Sequence, residues 1–373
     1  MPLFSADQLR KIATSILQAA GASKEEAEIV GNHMVNSNLY GIDSHGIVRL
    51  RLYVRLIRKM AGTDSEVSHM ASPGIRPRAE IKVLWETQSA AALDGNWGFG
   101  HVTATRAMEM AIAKAKVSGI GITSADNCNH IGRVGEYPEM AAKHNMIGIA
   151  LTTSGGEPQV APYGGIDRIF SPNPISIAIP TGRRPILLDA STSMVAGGRI
   201  SLAKTRNEKI PLGWIVDSEG RPSTDPSAYY GGAVPYTTTS SGSKTRGALL
   251  PFGGYKGYGL CLCVEIIGGL LSGAGFSRGG RGNGVVVAAI DVSKFTPIAD
   301  FKEKTDELIQ TVKSSRKSPE IETGEILVPG DKEYMTMEKR LREGIRIEDA
   351  TWEAIKQTAQ ELNVNIEAYV NNP

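Results

Sequence analysis

The sequence predicts an α/β protein of the mixed α+β kind, with helices gathered at both ends of the chain. Helical signals dominate residues 1–60, where two capping motifs each precede apolar residues at helical spacing. From residue 81, short β-rich segments alternate with helical ones, and helical patterns return at 300–316 and 350–364. With 373 residues, the chain is long enough for two or three folding units with sizeable cores.

The first helices are predicted from their start signals. Ser5 and Ser23 are each followed three residues later by Gln or Glu, which is the capping-box pattern of a helix N-terminus. A third helix is predicted over 46–60, and the polar, proline-containing residues 61–80 are predicted to be a linker.

The middle of the chain contains the predicted strands, separated by three predicted helices. Strands are expected at 81–84, 91–93, 120–124, 147–152, 175–179, 186–188 and 284–290. Helices are expected at 99–117, which Gly119 would end, at 134–144 and at 257–271.

The composition excludes several classes of protein. Lys and Arg number 41 against 39 Asp and Glu, for a net charge of +2, and no basic run indicates a nucleic-acid partner. The three cysteines, Cys128, Cys261 and Cys263, are not a disulfide framework and favour a reducing compartment. The N-terminus does not resemble a signal peptide, and the most apolar run, 260–271, is too short to span a membrane. We therefore expect a soluble, cytoplasmic protein.

Common nucleotide and hydrolase motifs are absent from the sequence. The closest match to Gly-x-Gly-x-x-Gly is 98–103, where Thr103 occupies the third glycine position, so a Rossmann fingerprint is not supported. The sequence has no phosphate-binding Gly-Lys-Ser/Thr loop, no His-Glu-x-x-His zinc motif and no Gly-x-Ser-x-Gly nucleophile motif. No metal site is expected.

One candidate substrate site lies near the start of the third predicted helix. His45, Arg49 and Tyr53 are four residues apart in turn, so in a continuous helix they share one face. An imidazole, a guanidinium and a phenol together suit a small acid, because the guanidinium can form two hydrogen bonds to a carboxylate. A solvated helix face explains these three residues equally well.

A candidate proton-transfer group lies between a predicted strand and a predicted helix. His130 follows the strand at 120–124, and an imidazole with a pKa near 6.5 suits acid–base catalysis. A structural histidine in a turn is the alternative. The patterns around His33, His69 and His144 predict surface or hydrogen-bonded structural residues, and His101 is expected to cap or pack a helix.

Three segments rich in glycine and hydroxyl side chains suit a dinucleotide. They are 152–156, 189–193 and 251–259. In the last, Lys256 and Gly257 begin a predicted helix, where backbone N–H groups and a cation would bind a phosphate. An ordinary exposed lysine in a glycine turn is the alternative.

Together these motifs identify a family resemblance. They are Asp43-Ser44-His45-Gly46, Asn129-His130-x-Gly132, Ser171-Pro172-Asn173-Pro174, Asp189-x-Ser191-Thr192-Ser193, Gly213-Trp214-x-Val216-Asp217, Pro222-Ser223-Thr224-Asp225-Pro226 and the run Gly253 to Leu260. In this order they resemble the type-2 malate/L-lactate dehydrogenase family, from about residue 5 to residue 365. The family also contains sulfolactate and ureidoglycolate dehydrogenases and cyclic imino-acid reductases, so the motifs specify the family better than the substrate.

The resemblance implies an architecture. It implies a non-Rossmann NAD(P)-binding fold with a large, mostly antiparallel mixed sheet and a second, helical lobe formed by both chain ends. The corresponding division is a helical segment at 1–75, an NAD(P)-binding domain at 76–298 and a returning helical segment at 299–373. It also implies a homodimer in which the partner completes each active site.

The resemblance also implies roles for particular residues. His130, with His45, is the expected catalytic group. His45, Arg49 and Tyr53 are the expected substrate-pocket residues. The expected cofactor contacts are Ser154, Asp189, Ala190, Ser191, Lys256, Gly257 and Asn283. Tyr255 departs from the family pattern, which usually has histidine at this position.

The resulting prediction is an oxidoreductase that interconverts a small 2-hydroxy acid and a 2-oxo acid with NAD or NADP. His130 would exchange a proton with the substrate oxygen, and Arg49 would hold the carboxylate. One alternative is a reductase of cyclic 2-imino acids, which would use the same carboxylate anchor. An alternative from another class is a nicotinamide-binding regulatory protein without catalysis, which the presence of His130, His45 and Arg49 disfavours.

Overall fold

The computed structural model describes residues 1–64, 67, 72–156, 158–231, 246–320 and 324–370. The strands are β1 (Leu3–Phe4), β2 (Lys82–Glu86), β3 (Ala90–Asp94), β4 (Ile120–Cys128), β5 (Met146–Ser154), β6 (Ile175–Ile179), β7 (Ile186–Ala190), β8 (Ile215–Val216), β9 (Pro222–Ser223), β10 (Ala248–Leu249), β11 (Asn283–Asp291) and β12 (Ile345–Arg346). The helices are α1 (Ala6–Ala19), α2 (Lys24–Leu39), α3 (Leu50–Met60), α4 (Gly100–Ser118), α5 (Glu136–Lys143), α6 (Gly197–Thr205), α7 (Pro226–Tyr230), α8 (Tyr255–Val264), α9 (Ile298–Lys313), α10 (Asp331–Glu343), α11 (Asp349–Glu361) and α12 (Glu367–Val370).

A mixed seven-stranded sheet is the largest β element of the described chain. Its strand order is β2-β3-β4-β11-β5-β6-β7. Five of its six pairings are antiparallel, and β3 with β4 is the parallel pair. The late strand β11 therefore lies between two groups of strands that come earlier in the chain. Small sheets of three strands (β10-β8-β9) and two strands (β1-β12) accompany it.

The N-terminal helices begin as predicted. The Ser5 hydroxyl accepts a hydrogen bond from the Gln8 backbone N–H at 3.2 Å, and the Gln8 side chain accepts one from the Ser5 N–H at 2.8 Å. Ser23 and Glu26 form the same reciprocal pair at 3.1 and 2.8 Å. Both capping boxes are thus confirmed, and each satisfies two backbone donors that the first helical turn leaves without partners.

Apolar side chains from both ends of the chain share one buried cluster. It includes residues of α1, α2 and α3 together with Ile345, Ile347, Ile355, Ala359 and Ile366. A second cluster packs α4 and α5 against β4, β5 and β11. Burial of apolar side chains in these two clusters is the main favourable contribution to the free energy of folding. The division of the chain at residues 75 and 298 stays a prediction.

The third helix differs from its prediction. Instead of a helix over 46–60, two short 3₁₀ turns precede α3, and Gly46 between them is extended at φ −84° and ψ −153°. The cause is Asn38, whose side-chain oxygen accepts a hydrogen bond from the Ile47 N–H at 2.8 Å. The prediction that His45, Arg49 and Tyr53 share one helix face is therefore wrong, because only Tyr53 lies in α3.

Two other segments also differ from their predictions. The described part of 61–80 packs against α3, with Ile75 1% exposed and its N–H bonded to the Leu56 carbonyl at 2.9 Å. The helix predicted over 257–271 ends as α8 at Val264, and a π-helical turn follows over Glu265–Leu270. In the described part of the chain, no helix has the length and apolar character needed to cross a membrane.

Candidate active site

Four imidazoles and one phenol from five separate segments meet in one cluster. His33 comes from α2, His45 from the first 3₁₀ turn, Tyr53 from α3, His101 from α4 and His130 from the loop after β4. The His45 and His130 rings are stacked with centroids 5.4 Å apart, and those of His33 and His101 meet edge-on at 4.6 Å. We call this group the histidine cluster. It contains His45, Tyr53 and His130, which the sequence analysis assigned to one site.

His130 is held by contacts to one of its ring nitrogens. Its Nδ1 lies 2.8 Å from the Tyr53 hydroxyl and accepts a hydrogen bond from the Gly132 N–H at 3.3 Å. Gly132 has a φ of +71°, and a Cβ there would lie 2.3 Å from His33 Nε2. The glycine of the Asn-His-x-Gly motif is therefore required by both the backbone conformation and the packing of the cluster.

Asn129 fixes the backbone just before His130. Its side-chain nitrogen donates to the carbonyls of Gly74, Trp97 and Gly98 at 2.9, 3.0 and 3.0 Å. The residue is 2% exposed, so these bonds are shielded from water. The asparagine of the motif thus joins the His130 loop to the segment that leads into α4.

The turn that carries His45 is held from both sides. The Asn38 side chain donates to Asp43 at 2.6 Å, and two nitrogens of Arg340 in α10 pair with the same carboxylate at 2.6 and 2.9 Å. His45 Nδ1 lies 3.0 Å from the Ser44 hydroxyl. Asn38 and Arg340 were not predicted from the sequence. Arg340 lies almost 300 residues away, so no local pattern could indicate it.

Arg49 presents a guanidinium with unused donors. Its Nε donates to the Ser44 carbonyl at 2.7 Å, and among the described residues it forms no ion pair. Its charge nevertheless acts on the cluster, because it lowers the pKa of both His45 and His130. The two terminal nitrogens remain available for a ligand carboxylate.

The environment of the cluster favours neutral imidazoles. Burial lowers the pKa of His45 to about 4, with the Arg49 charge as the next contribution. The pKa of His130 is lowered well below its usual range, first by burial and then by the charge of Arg49. Burial also lowers the pKa of His33 and His101 and raises that of the Tyr53 phenol. At neutral pH the four rings are therefore uncharged.

Two members of the cluster were assigned only structural roles from the sequence. His33 is a hydrogen-bonded histidine as predicted, since its Nε2 accepts from the Arg133 N–H at 2.8 Å, and its ring also contacts that of His101. His101 is 1% exposed, and its buried Nδ1 has no hydrogen-bond partner among the described residues. A signal was present in the sequence, because His101 shares the helical spacing of the apolar residues Ala104, Met108 and Ala111. His69 lies outside the described residues, and His144 is exposed at the end of α5.

Several predicted cofactor residues form a second group at the ends of β5, β7 and β11. Ser154, at the end of β5, is exposed and pairs with Asn283 of β11. Asp189 and Ala190 end β7, and Ser191 follows them. The Asp189 carboxylate accepts a hydrogen bond from the Gly135 N–H at 2.9 Å. Because Gly135 lies in the loop that begins at His130, this bond links the two groups.

The segment that contains Lys256 is joined to the same strand ends. The Phe252 N–H donates to the Thr192 carbonyl at 3.0 Å, and the Met194 N–H donates to the Leu250 carbonyl at 2.8 Å. A cavity of about 380 Å³ lies here, and Met194, Leu250, Pro251 and Gly254 are among the residues that line it. Lys256 is exposed in the first turn of α8.

Gly257 has a structural reason to be glycine. A Cβ at this position would lie 1.8 Å from the Phe252 carbonyl oxygen, so the turn itself excludes any side chain. Gly253 differs, because a Cβ there would have no atom of the described residues within 4 Å. Among the described residues, space for a ligand therefore remains beside Gly253, whereas the Phe252 carbonyl already occupies the space beside Gly257.

A buried ion-pair network borders the histidine cluster and was missed in the sequence. Arg133 is 3% exposed and pairs with Glu136 at 2.8 Å and Glu139 at 2.7 Å. Its charge also lowers the pKa of Asp189, although burial outweighs this and raises that pKa overall. Arg133 follows His130 by three residues, so the spacing in the sequence could have drawn attention to it.

Comparison with known proteins identifies the same family over nearly the whole chain. The family model described as malate/L-lactate dehydrogenase matches residues 4–356. The malate dehydrogenase of Pyrococcus horikoshii is 38% identical over 96% of this chain and 95% of its own length. The malate/(S)-sulfolactate dehydrogenase of Methanothermus fervidus is 37% identical over 98% and 99%. The solved structure of sulfolactate dehydrogenase from Methanocaldococcus jannaschii superposes with a TM-score of 0.85 at 33% identity, covering 99% of this chain and 100% of that one.

Proposed function

Because the chain belongs to the malate/L-lactate dehydrogenase family, it is an oxidoreductase of 2-hydroxy and 2-oxo acids, and we propose how its side chains divide that work. Enzymes of this family depend on a pyridine nucleotide, which when bound exchanges a hydride with C2 of the substrate. The proposal is carried by one observation. The two terminal nitrogens of Arg49 are unused among the described residues, and its charge lowers the pKa of the stacked histidines His45 and His130.

Arg49 binds the substrate carboxylate. Its Nε is fixed to the Ser44 carbonyl, so the guanidinium enters the site with a defined orientation. The planar guanidinium can donate two parallel hydrogen bonds to a carboxylate, which a single ammonium group cannot do. Fixing the carboxylate also fixes C2 of the substrate, and such positioning supplies several kcal/mol of barrier reduction.

His130 exchanges the proton with the oxygen on C2. Its Nδ1 is occupied by Tyr53 and Gly132, whereas its Nε2 makes no hydrogen bond to any described residue. Nε2 is therefore the nitrogen left for the substrate oxygen. His45, stacked on the same ring, hydrogen-bonds the carboxylate or the remaining substrate groups. Tyr53 is 1% exposed, so it affects substrate binding indirectly, through its hydrogen bond to His130.

The second group of residues fits a dinucleotide. Lys256 is an exposed cation in the first turn of α8, and the neighbouring cavity of about 380 Å³ has apolar walls. Ser154 and Asn283 offer polar groups at the adjoining strand ends, as do Asp189, Ala190 and Ser191. A helix N-terminus with a lysine suits a phosphate, and an apolar cavity suits a base. These residues would hold NAD or NADP.

We further propose that this sheet binds the nucleotide without Rossmann topology, and that the chain forms a homodimer. Five antiparallel pairings out of six support the first point, since the Rossmann sheet is mostly parallel. Exposed apolar side chains on α8 and the turn after it support the second: Leu262, Ile266, Ile267, Leu270 and Leu271 are 36–64% exposed. Light scattering of the purified protein measures the oligomeric state.

A substrate panel tests the proposed reaction. Oxidation of NADH and of NADPH is followed by absorbance with malate- and lactate-type 2-oxo acids and with cyclic 2-imino acids. We expect turnover of a 2-oxo acid. Turnover of imino acids alone would indicate the ketimine reductase alternative.

The role of His130 is tested by substitution. His130→Ala should lower kcat roughly 10²- to 10⁴-fold, the usual contribution of general acid–base catalysis, with little change in cofactor affinity. The exposed His144, substituted by Ala, is the matched control and should keep the parent kcat. Normal turnover by His130→Ala would refute the assignment.

A further inference from the structure

The hydrogen bonds behind His130 define which atom carries each proton. A backbone N–H can only donate, so the bond from Gly132 requires a lone pair on His130 Nδ1. The Tyr53 hydroxyl, 2.8 Å from the same nitrogen, must then donate its proton to it. A neutral His130 therefore carries its own proton on Nε2, the nitrogen that faces no protein partner among the described residues.

The same reasoning extends to His101. The Tyr53 oxygen has used its one proton, so toward His101 Nε2, at 3.4 Å, it can only accept. His101 then carries its proton on Nε2, and its Nδ1, which has no partner in the described part of the chain, has a lone pair. This assignment leaves an acceptor and not an N–H donor unsatisfied at Nδ1, which agrees with the greater rarity of orphaned buried N–H groups in proteins.

We propose that Tyr53 and His101 form a proton relay behind His130, an inference that rests on the proposed role of His130 as the acid. When the Nε2–H bond of His130 breaks and its proton joins the substrate alkoxide, the Tyr53 O–H bond breaks and its proton joins Nδ1. His130 thus stays neutral, and the negative charge passes from the alkoxide to the Tyr53 phenolate. The His101 Nε2–H donates to that phenolate. After product release, a proton from water returns to Tyr53 by the same path.

The charges around the relay support this route. Burial lowers the pKa of His130 well below its usual range, so an imidazolium is scarce at neutral pH and a neutral donor needs a second proton behind it. Burial outweighs charge and raises the pKa of Tyr53 overall, so the phenolate forms only transiently, and the Arg49 charge is the contribution that favours it. The groups that face His130 are Arg49 and His45 from the 3₁₀ turns, Tyr53 from α3, His101 from α4 and His33 from α2. No carboxylate is among them.

Tyr53→Phe tests the relay through its pH dependence. In the parent, the rate of 2-oxo acid reduction should be flat between about pH 6 and 8, because neutral His130 is the donor. Without the phenol, only the imidazolium can donate. The variant should therefore lose roughly tenfold in kcat per pH unit over this range and be roughly 10- to 100-fold slower than the parent at pH 8. KM should change little.

The matched control is Tyr137→Phe. Tyr137 is also buried, and its hydroxyl donates to the Ile131 carbonyl next to His130 without touching the His130 ring. This variant loses a buried hydroxyl in the same region and should keep a flat pH profile. If both variants develop the same pH dependence, the effect is structural and the relay is refuted.

His101 is tested as a positioning residue by two substitutions. His101→Gln keeps an N–H donor toward Tyr53, whereas His101→Leu removes it. We expect kcat near the parent value for the glutamine variant and roughly tenfold lower for the leucine variant, with unchanged cofactor affinity in both. Equal loss in both variants would refute the donor role.

A spectroscopic measurement does not depend on activity. In the protein labelled with ¹⁵N-histidine, the His130 signals, assigned by their loss in His130→Gln, should report an Nε2–H tautomer. An Nδ1–H tautomer would refute the relay while leaving His130 as the acid. Normal turnover of His130→Ala would instead refute the proposed role of His130, so the two failures are distinguishable.

Discussion

Substitution of Arg49 is the most direct test of carboxylate binding. The guanidinium has one nitrogen bonded to Ser44 and two left for the substrate. Each charge-assisted hydrogen bond contributes about 1.5–3 kcal/mol. Arg49→Ala, which loses two, should therefore lower kcat/KM for a 2-oxo acid by roughly 10²- to 10⁴-fold. Arg49→Lys keeps a charge but only one well-placed donor, so we expect a loss of roughly 10- to 100-fold.

The assay compares substrates as well as variants. An uncharged amide analogue lacks the carboxylate that Arg49 binds, so Arg49→Ala should reduce its turnover far less than that of the acid. Arg51 is the matched control, because it lies two residues away and pairs with Glu361 at 3.7 Å outside the cluster. Arg51→Ala should leave kcat/KM unchanged and alter the free energy of unfolding by less than about 1 kcal/mol. Parent-like kcat/KM of Arg49→Lys, or equal losses for acid and amide, would refute carboxylate binding by Arg49.

Three further predictions concern the cofactor, the ion-pair network and pH. Lys256→Ala should raise the Kd of NADH or NADPH about 10- to 100-fold in a fluorescence titration, whereas an unchanged Kd would remove Lys256 from the cofactor site. Arg133→Met removes the cation that pairs with the buried Glu139 carboxylate and should lower the free energy of unfolding in urea by about 3–5 kcal/mol, with Arg133→Met/Glu139→Gln recovering part of it. The pKa of His45 is about 4 when folded, so below about pH 6.5 the unfolded state binds more protons, and stability should fall between about pH 6.5 and 4. Urea midpoints that are constant over that range would contradict this.

Local chemistry made parts of the fold predictable. The capping boxes at Ser5 and Ser23 and the left-handed Gly119 that ends α4 each depend on residues within a few positions. The strand predicted at 175–179 matches β6 at both ends. By contrast, α6 begins with two glycines, and its N-cap Ala196 makes no side-chain cap bond, so tertiary packing and not a local signal determines that helix.

The types of residue in the candidate site could be predicted from the sequence, but their spatial arrangement could not. The family resemblance is confirmed. The structure brings His45, Tyr53 and His130 together, and the roles that the resemblance implies for them stay a prediction. The sequence predicted that His45 and Arg49 lie in one helix with Tyr53, and this was wrong. Hydrogen bonds of Asn38 and Arg340 hold this segment in 3₁₀ turns before the helix. The Asn38 bond spans nine residues and the Arg340 bond almost 300, so neither could be deduced from the four-residue spacing of a helix.

The position of β11 has a consequence for how the chain folds. This strand pairs with β4 on one side and β5 on the other, yet it lies about 130 residues after β5 in the chain. During synthesis, β2–β4 and β5–β7 therefore emerge long before the strand that joins them. Until Asp291 leaves the ribosome, the facing edges of β4 and β5 have unpaired N–H and C=O groups, and these can pair with the same edges of a neighbouring nascent chain. Contacts this distant in sequence also slow folding, so those edges stay unpaired for longer than in a protein of equal size with sequential strands.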